Sequence, residues 1–299
     1  MFVILGKAVH MSTMELSLIG GLYILLSFVF LLVNTLLFVT LFKNKEYQTS
    51  TYRIIRCICL ACMVQLTVQL TGGAITIVQY LDEQANKILG AILQAGWFLY
   101  MFLSVALAVD RLLYFIKISS RKFRIISFII LTVSWTFAAA YLAIFLVPGF
   151  GFEYCCVPSY LHWYYTTEHG AEILEKLEII VDFTIVGLVL LIYCLLFAVL
   201  MKMRKKITKN TITARTVKAE LRILVVAVIS FVYETAYLLW FFWGVNQLPY
   251  FSHRDALTMC LWIIDSGMFA LSTFFLNSSV RKRIKTIIVM KGNTTFSRS

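Results

Sequence analysis

Residues 97–124 read WFLYMFLSVALAVDRLLYFIKISSRKFR. From Trp97 to Val109 there is no charge; Asp110 and Arg111 then stand side by side, and Lys117, Arg121, Lys122 and Arg124 follow. The run is continuous rather than alternating, which marks a helix. Counted from residue 88 it exceeds the ~20 residues that cross about 30 Å of hydrocarbon. Short loops rich in Lys and Arg stay in the cytoplasm, so the basic end of this helix is expected inside.

The pattern recurs along the chain. Apolar runs at 17–42, 54–80, 88–116, 124–147, 178–201, 220–244 and 256–277 predict seven spans. Lys43, Lys45, Arg53 and Arg56 follow the first run, Lys202, Arg204, Lys205, Lys206, Lys209, Arg215, Lys218 and Arg222 the fifth, and Arg281, Lys282, Arg283, Lys285, Lys291 and Arg298 the seventh. Of the 27 Lys and Arg, only Lys7, Lys87, Lys176 and Arg254 fall on the other face. The expected fold is an all-α membrane protein, a seven-transmembrane helix bundle with its amino terminus outside and its carboxyl terminus inside. Its divisions are an outer segment 1–16, the bundle 17–277, and a cytoplasmic tail 278–299. In the tail Val280, Ile284, Ile287 and Ile288 share one face of an amphipathic helix. The first 16 residues lack a basic region followed by an apolar stretch and a small-residue cleavage site, so the first span reads as a retained anchor.

Composition agrees. At 61% hydrophobic and 14% charged, with a mean hydropathy of +0.85, the chain is too apolar for a soluble globule. Continuous runs favour helices over a barrel, whose strands would alternate. The net charge of +12 gathers on the cytoplasmic face, which points to anionic membrane lipids and cytosolic partners and not to nucleic acid. Cys57, Cys59 and Cys62 read as packing residues, whereas Cys155, Cys156 and Cys260 lie near the oxidising side, where a bridge is conceivable. Pro148, Pro158 and Pro249 all fall in outer loops, and the paired Gly72 and Gly73 read as a close helix contact. The outer segment from Pro148 to Glu178 is the longest outside the membrane and is placed to lid a pocket, with its last part, AEILEKLE, extending the fifth helix. The sequons at Asn277 and Asn293 are on the cytoplasmic side and are expected to stay unmodified.

Several motifs, read together, carry a resemblance: YRIIRCICLACMVQLTVQLTGG at 52–73, Trp97 ahead of LAVDR at 107–111, and WIIDSGMFALSTFFLNSSVRKRI at 262–284. In this order the chain resembles the nematode serpentine chemoreceptors, most closely class T, which are G-protein-coupled receptors of rhodopsin-like topology. The resemblance implies that Asp110 and Arg111 stand where such receptors carry an Asp-Arg-Tyr signature, with Leu112 in place of Tyr, and that Glu220 is the acid holding Arg111 at rest. Departures are Cys62 where the second helix of the family carries an acid, Phe269 where the seventh carries a proline, and no cysteine in residues 82–90.

Asp182, Glu234 and Asp265 lie within apolar spans, in what the sequence places as the outer halves. Buried acids are costly in lipid and usually face a bundle interior. Gln94, Thr184, Thr235 and Ser266 are candidate hydrogen-bond partners for them. Together with Gln94, Trp97, Tyr100, Tyr237 and Trp262 the acids form a candidate ligand site favouring cations, since aromatic faces attract positive charge. Other chemistry drops out. His10, His162, His169 and His253 lie outside the spans, so an intramembrane zinc hydrolase lacks ligands, and neither metal nor cofactor is expected. No lysine in the seventh span offers a Schiff base. The reading is a non-enzymatic chemosensory receptor of the plasma membrane, or of a sensory cilium. It binds a small molecule and signals through a heterotrimeric G protein with the loop from Lys202 to Lys218, whose Thr208, Thr211, Thr213 and Thr216 are kinase targets. The alternative is a small-solute transporter or channel using the three intramembrane acids.

Overall fold

The computed structural model describes residues 12–117, 119–154, 161–207, 211–244 and 253–284, leaving aside the side chains of Ser120 and of residues 203–220. Its helices are α1 (Thr13–Lys43), α2 (Ser50–Val78), α3 (Glu83–Ile116), α4 (Ser120–Leu146), α5 (His169–Ile207), α6 (Thr211–Leu239) and α7 (Arg254–Leu276). Residues 278–284 continue as a short α8. Strands β1 (Phe152–Tyr154) and β2 (Trp163–Tyr165) pair antiparallel, with Phe152 opposite Tyr165 and Tyr154 opposite Trp163. Seven helices are long and apolar enough to cross a membrane.

The helices overrun the apolar segments because capping turns lie outside them. Ser12 accepts the Glu15 amide at 3.2 Å while Glu15 accepts the Ser12 amide at 2.7 Å, a reciprocal box that starts α1 at Thr13. Asp82 accepts the Ala85 amide at 3.1 Å and starts α3 five residues ahead of its expected boundary. Helix α5 begins at His169, as AEILEKLE predicts; at 39 residues it spans about 58 Å and projects well beyond the hydrocarbon. Glu178 therefore sits inside α5, as that extension predicts. Along the spans Leu221–Gly244 and Arg254–Leu276, Glu234 lies just past the middle toward Gly244 and Asp265 at the middle.

Helix α3 is the axis of the bundle. Its span is 67% buried, against 33% for α1 and 28% for α4 and for α5, whose exposed Leu18, Leu25, Phe28, Phe128, Leu191 and Phe197 suit lipid contact. Helices α1 and α2 meet through glycines: a Cβ added at Gly20 would lie 2.6 Å from the Gly73 carbonyl oxygen, the close contact expected for the paired glycines. Cys59 and Cys62 are buried, as expected of packing residues. Cys260 is a free thiol; Cys155 and Cys156 lie outside the described residues. Asn277 ends α7 and starts α8, its Oδ1 accepting the amides of Ser279 and Val280 at 3.2 and 3.3 Å. Val280 and Ile284 then bury against the core as the amphipathic pattern requires; Ile287 and Ile288 lie outside the described residues.

Candidate functional site

At one end the β-hairpin lies across the bundle. Phe152, Tyr154 and Trp163 are fully buried beneath it. Asn86 of α3 acts as an extra rung for β1: its Nδ2 donates to the Tyr154 carbonyl at 3.0 Å and its Oδ1 accepts the Tyr154 amide at 2.8 Å. One turn on, Gly90 passes so close to β1 that a Cβ would lie 1.6 Å from the Phe152 carbonyl oxygen. The Tyr154 hydroxyl meets Thr76 Oγ1 at 2.5 Å, tying the hairpin to α2 as well. Residues 82–90 lack the cysteine that would anchor this segment in rhodopsin-like receptors; Asn86 and Gly90 hold it by amide pairing and close contact.

Beneath the hairpin the predicted residues converge. Trp97 lies 5.9 Å from Tyr237 and 6.0 Å from Trp262 between ring centroids, edge to face, and 6.1 Å from Tyr100. Its indole Nε1 donates to Asp182 Oδ2 at 3.3 Å. Gln94 Nε2 donates to Glu178 Oε1 and Oε2 at 3.3 and 3.2 Å and to the Tyr165 hydroxyl at 2.9 Å, while that hydroxyl donates to Glu178. The Tyr237 hydroxyl lies within electrostatic reach of Asp265, Glu178 and Asp182. Glu234 is close enough to Asp265 and Asp182 for their charges to repel. Tyr100 is turned toward Glu234 without closing a hydrogen bond.

Four carboxyl groups are thus gathered in the interior, each at most 5% exposed. Among the described residues none of them is paired with a Lys, Arg or His. Neither oxygen of Asp265 has a hydrogen-bond partner among the described residues. The anticipated neighbours do not serve the three predicted acids. Thr184 and Thr235 donate instead to the carbonyls of Ile180 and Phe231 at 2.6 and 2.8 Å, Ser266 donates to the Trp262 carbonyl and Gln65, and Gln94 goes to Glu178. Two residues not anticipated are central. Glu178 is one helical turn from Asp182, a spacing visible in EIIVD once the helix is drawn through it. Gln65 accepts from Trp262 Nε1 at 3.3 Å and donates to the Gly96 carbonyl at 3.3 Å, joining α2, α3 and α7. Cys62, where an acid was expected, is buried within reach of both Asp265 and Glu234, so acids from α7 and α6 approach the space beside that position. A void of about 10 Å³ lies beside Tyr100, Ser230 and Glu234.

The opposite, basic end is built around Arg111, which is 0% exposed. Its Nη2 and Nε donate to Asp110 Oδ2 at 2.5 and 3.2 Å. Nη2 also donates to the Thr51 hydroxyl, which itself donates to the same Asp110 oxygen at 2.7 Å. The guanidinium carbon lies 5.6 Å from the centre of the Tyr114 ring. Glu220, the expected partner of Arg111, and the threonines of the 202–218 loop lie outside the described side chains.

Seven apolar helices with a long, buried α3 among them, a hairpin across one end and an acid-arginine pair buried at the other define a seven-helix membrane protein of the rhodopsin-like fold. The crystal structure of squid rhodopsin has that fold: it matches with a TM-score of 0.74 at 12% identity, covering 94% of this chain and 87% of that one. Residues 7–296 match the family described as serpentine type 7TM GPCR chemoreceptor Srt, and the chain belongs to that family. No curated protein matches the sequence at a significant level.

Proposed function

We propose that this chain is a chemosensory receptor of the plasma membrane, which binds a small cation beneath the hairpin and activates a heterotrimeric G protein at its basic, cytoplasmic end. The observation that carries the ligand assignment is the set of four buried carboxyl groups with no counter-charge among the described residues, walled by Trp97, Tyr100, Tyr237 and Trp262. Burying acids without partners is expensive, and a cation seated among them would offset that cost while using the ring faces. In this reading a ligand seated among these acids and rings shifts α6 and α7 relative to α3. Preferential binding to the shifted arrangement is what moves the population. Helix α6 has no proline, so it moves as a body, with the π-helical turn at Trp240–Gly244 as the place where its backbone widens.

The test is nucleotide exchange on a reconstituted G protein against a panel of amines, carboxylates and apolar odorants. Cationic agonists are expected, and Asp265→Asn and Asp182→Asn are each expected to weaken them at least tenfold, since a lost charge-assisted pairing is worth about 1.5–3 kcal/mol. Agonists that are all anionic or all apolar would refute the cation site. Solute flux without nucleotide exchange would identify a transporter instead.

A further inference from the structure

We propose a second binding site, at the basic end, for the phosphorylated headgroup of an anionic membrane phospholipid. It lies in the groove between the first turns of α2 and α4 and is independent of the ligand and G-protein reading above. The groove encloses about 700 Å³ and is lined by Arg53, Arg121 and Arg124, with Thr49 at one edge and Ile125 and Phe128 along its floor. All three arginines are exposed, and none has a hydrogen bond, ion pair or ring contact among the described residues.

The local electrostatics ask for an anion. Both helices begin here, and neither N-cap, Thr49 for α2 or Ser119 for α4, makes a side-chain capping bond. Neither first turn contains an acid. A helix start carries unsatisfied N–H groups and partial positive charge, so Arg53 and Arg121 in first turns oppose the helix dipoles. A phosphate among the three guanidinium groups reverses that repulsion, and arginine forks match phosphate oxygens two at a time. A lipid fits better than a free phosphate because the floor continues into the lipid-facing surface: Ile125 is 51% and Phe128 64% exposed on α4. Acyl chains below the headgroup would cover that wall, whereas a soluble polyphosphate would use only the upper half of the groove.

The experiment uses the purified full chain in neutral detergent, titrated with short-chain phosphatidylinositol bisphosphate and read by native mass spectrometry. Each basic side chain near an anionic headgroup contributes about fivefold in affinity, so Arg53→Gln/Arg121→Gln/Arg124→Gln is expected to weaken binding roughly a hundredfold. The corresponding triple lysine variant should keep most of it. The charge-matched control Lys43→Gln/Lys45→Gln/Lys202→Gln should stay close to the parent. Should the triple glutamine variant misfold, Arg124→Gln alone reads the site through its fivefold loss. Equal losses in the control would show a diffuse basic surface and overturn the site. Undiminished binding by folded variants would do the same. Inositol trisphosphate binding as tightly as the lipid would assign the groove to a soluble polyphosphate and overturn the lipid.

Discussion

Thr51 uses one hydroxyl twice, donating a hydrogen bond to Asp110 and accepting one from Arg111. It thereby links the start of α2 to a buried ion pair on α3, where breaking one partner leaves an uncompensated charge. Thr51→Val should therefore loosen the basic end and raise ligand-independent nucleotide exchange several-fold, while Thr51→Ser, which retains the hydroxyl, should leave it near the parent level; exchange in proteoliposomes measures both. Asp110 and Arg111 stood out in the sequence because charge inside an apolar run is rare. Thr51 did not, because a threonine in a first helical turn ordinarily needs no further explanation. The same contrast holds in the acid cluster. Asp182, Glu234 and Asp265 were legible as isolated acids among apolar neighbours, whereas Glu178, read as the end of the AEILEKLE extension above the membrane, did not stand out from the nearby Glu168, Glu172 and Glu175. At Gly90 the constraint is steric: Gly90→Ala would drive a methyl group into the Phe152 carbonyl. It should lower expression at the cell surface and the melting temperature, with no counterpart at Gly21, where an added Cβ meets nothing within 4 Å.

At the scale of elements, the hairpin is the part that sequence reading did not draw. Strands of three residues, FEY and WYY, are too short for an alternating pattern. What places them is tertiary: the Asn86 amide pairing with Tyr154 and the close pass of Gly90. Asn86→Ala removes two hydrogen bonds worth about 1 kcal/mol each, so amide exchange at Tyr154 should accelerate by a factor of roughly 5 to 30. Hairpin docking should also respond to pH. Burial holds His162 below the ordinary value of 6.5, outweighing the opposing pull of the Asp255 carboxylate 3.7 Å away. A freed hairpin binds a proton more readily than a docked one, so docking weakens as pH falls from about 6.5 toward the lowered folded value and is fully retained above it. Hydrogen exchange over β1 should quicken on acidification to pH about 5.5, and His162→Gln should flatten that dependence. The helices, by contrast, were legible because each requires a long apolar run; their ends were less so, because capping residues such as Ser12 and Asp82 are polar and lie beyond what hydropathy detects.

At the scale of the whole molecule, two clusters of buried charge lie at different levels of one helix. Trp97 and Tyr100 of α3 help form the acid and aromatic cluster; Asp110 and Arg111, three turns on, form the pair closed by Thr51. A helix about 50 Å long that is 67% buried over its span is a stiff connection between them. Displacing α3 at one level is therefore expected to change packing at the other. The order of the seven apolar runs and the one-sided basic loops made this architecture readable. The convergence of the two levels on α3 required the helices to be packed. The central proposal is that the buried pair of Asp110 and Arg111, closed by Thr51, holds the receptor at rest. It is tested most directly by guanine nucleotide exchange in proteoliposomes containing a heterotrimeric G protein and either the parent chain or Asp110→Asn, each shown to be folded. The account predicts that Asp110→Asn, by weakening the hold on Arg111, raises ligand-independent exchange at least several-fold; exchange equal to or below that of the parent would contradict it.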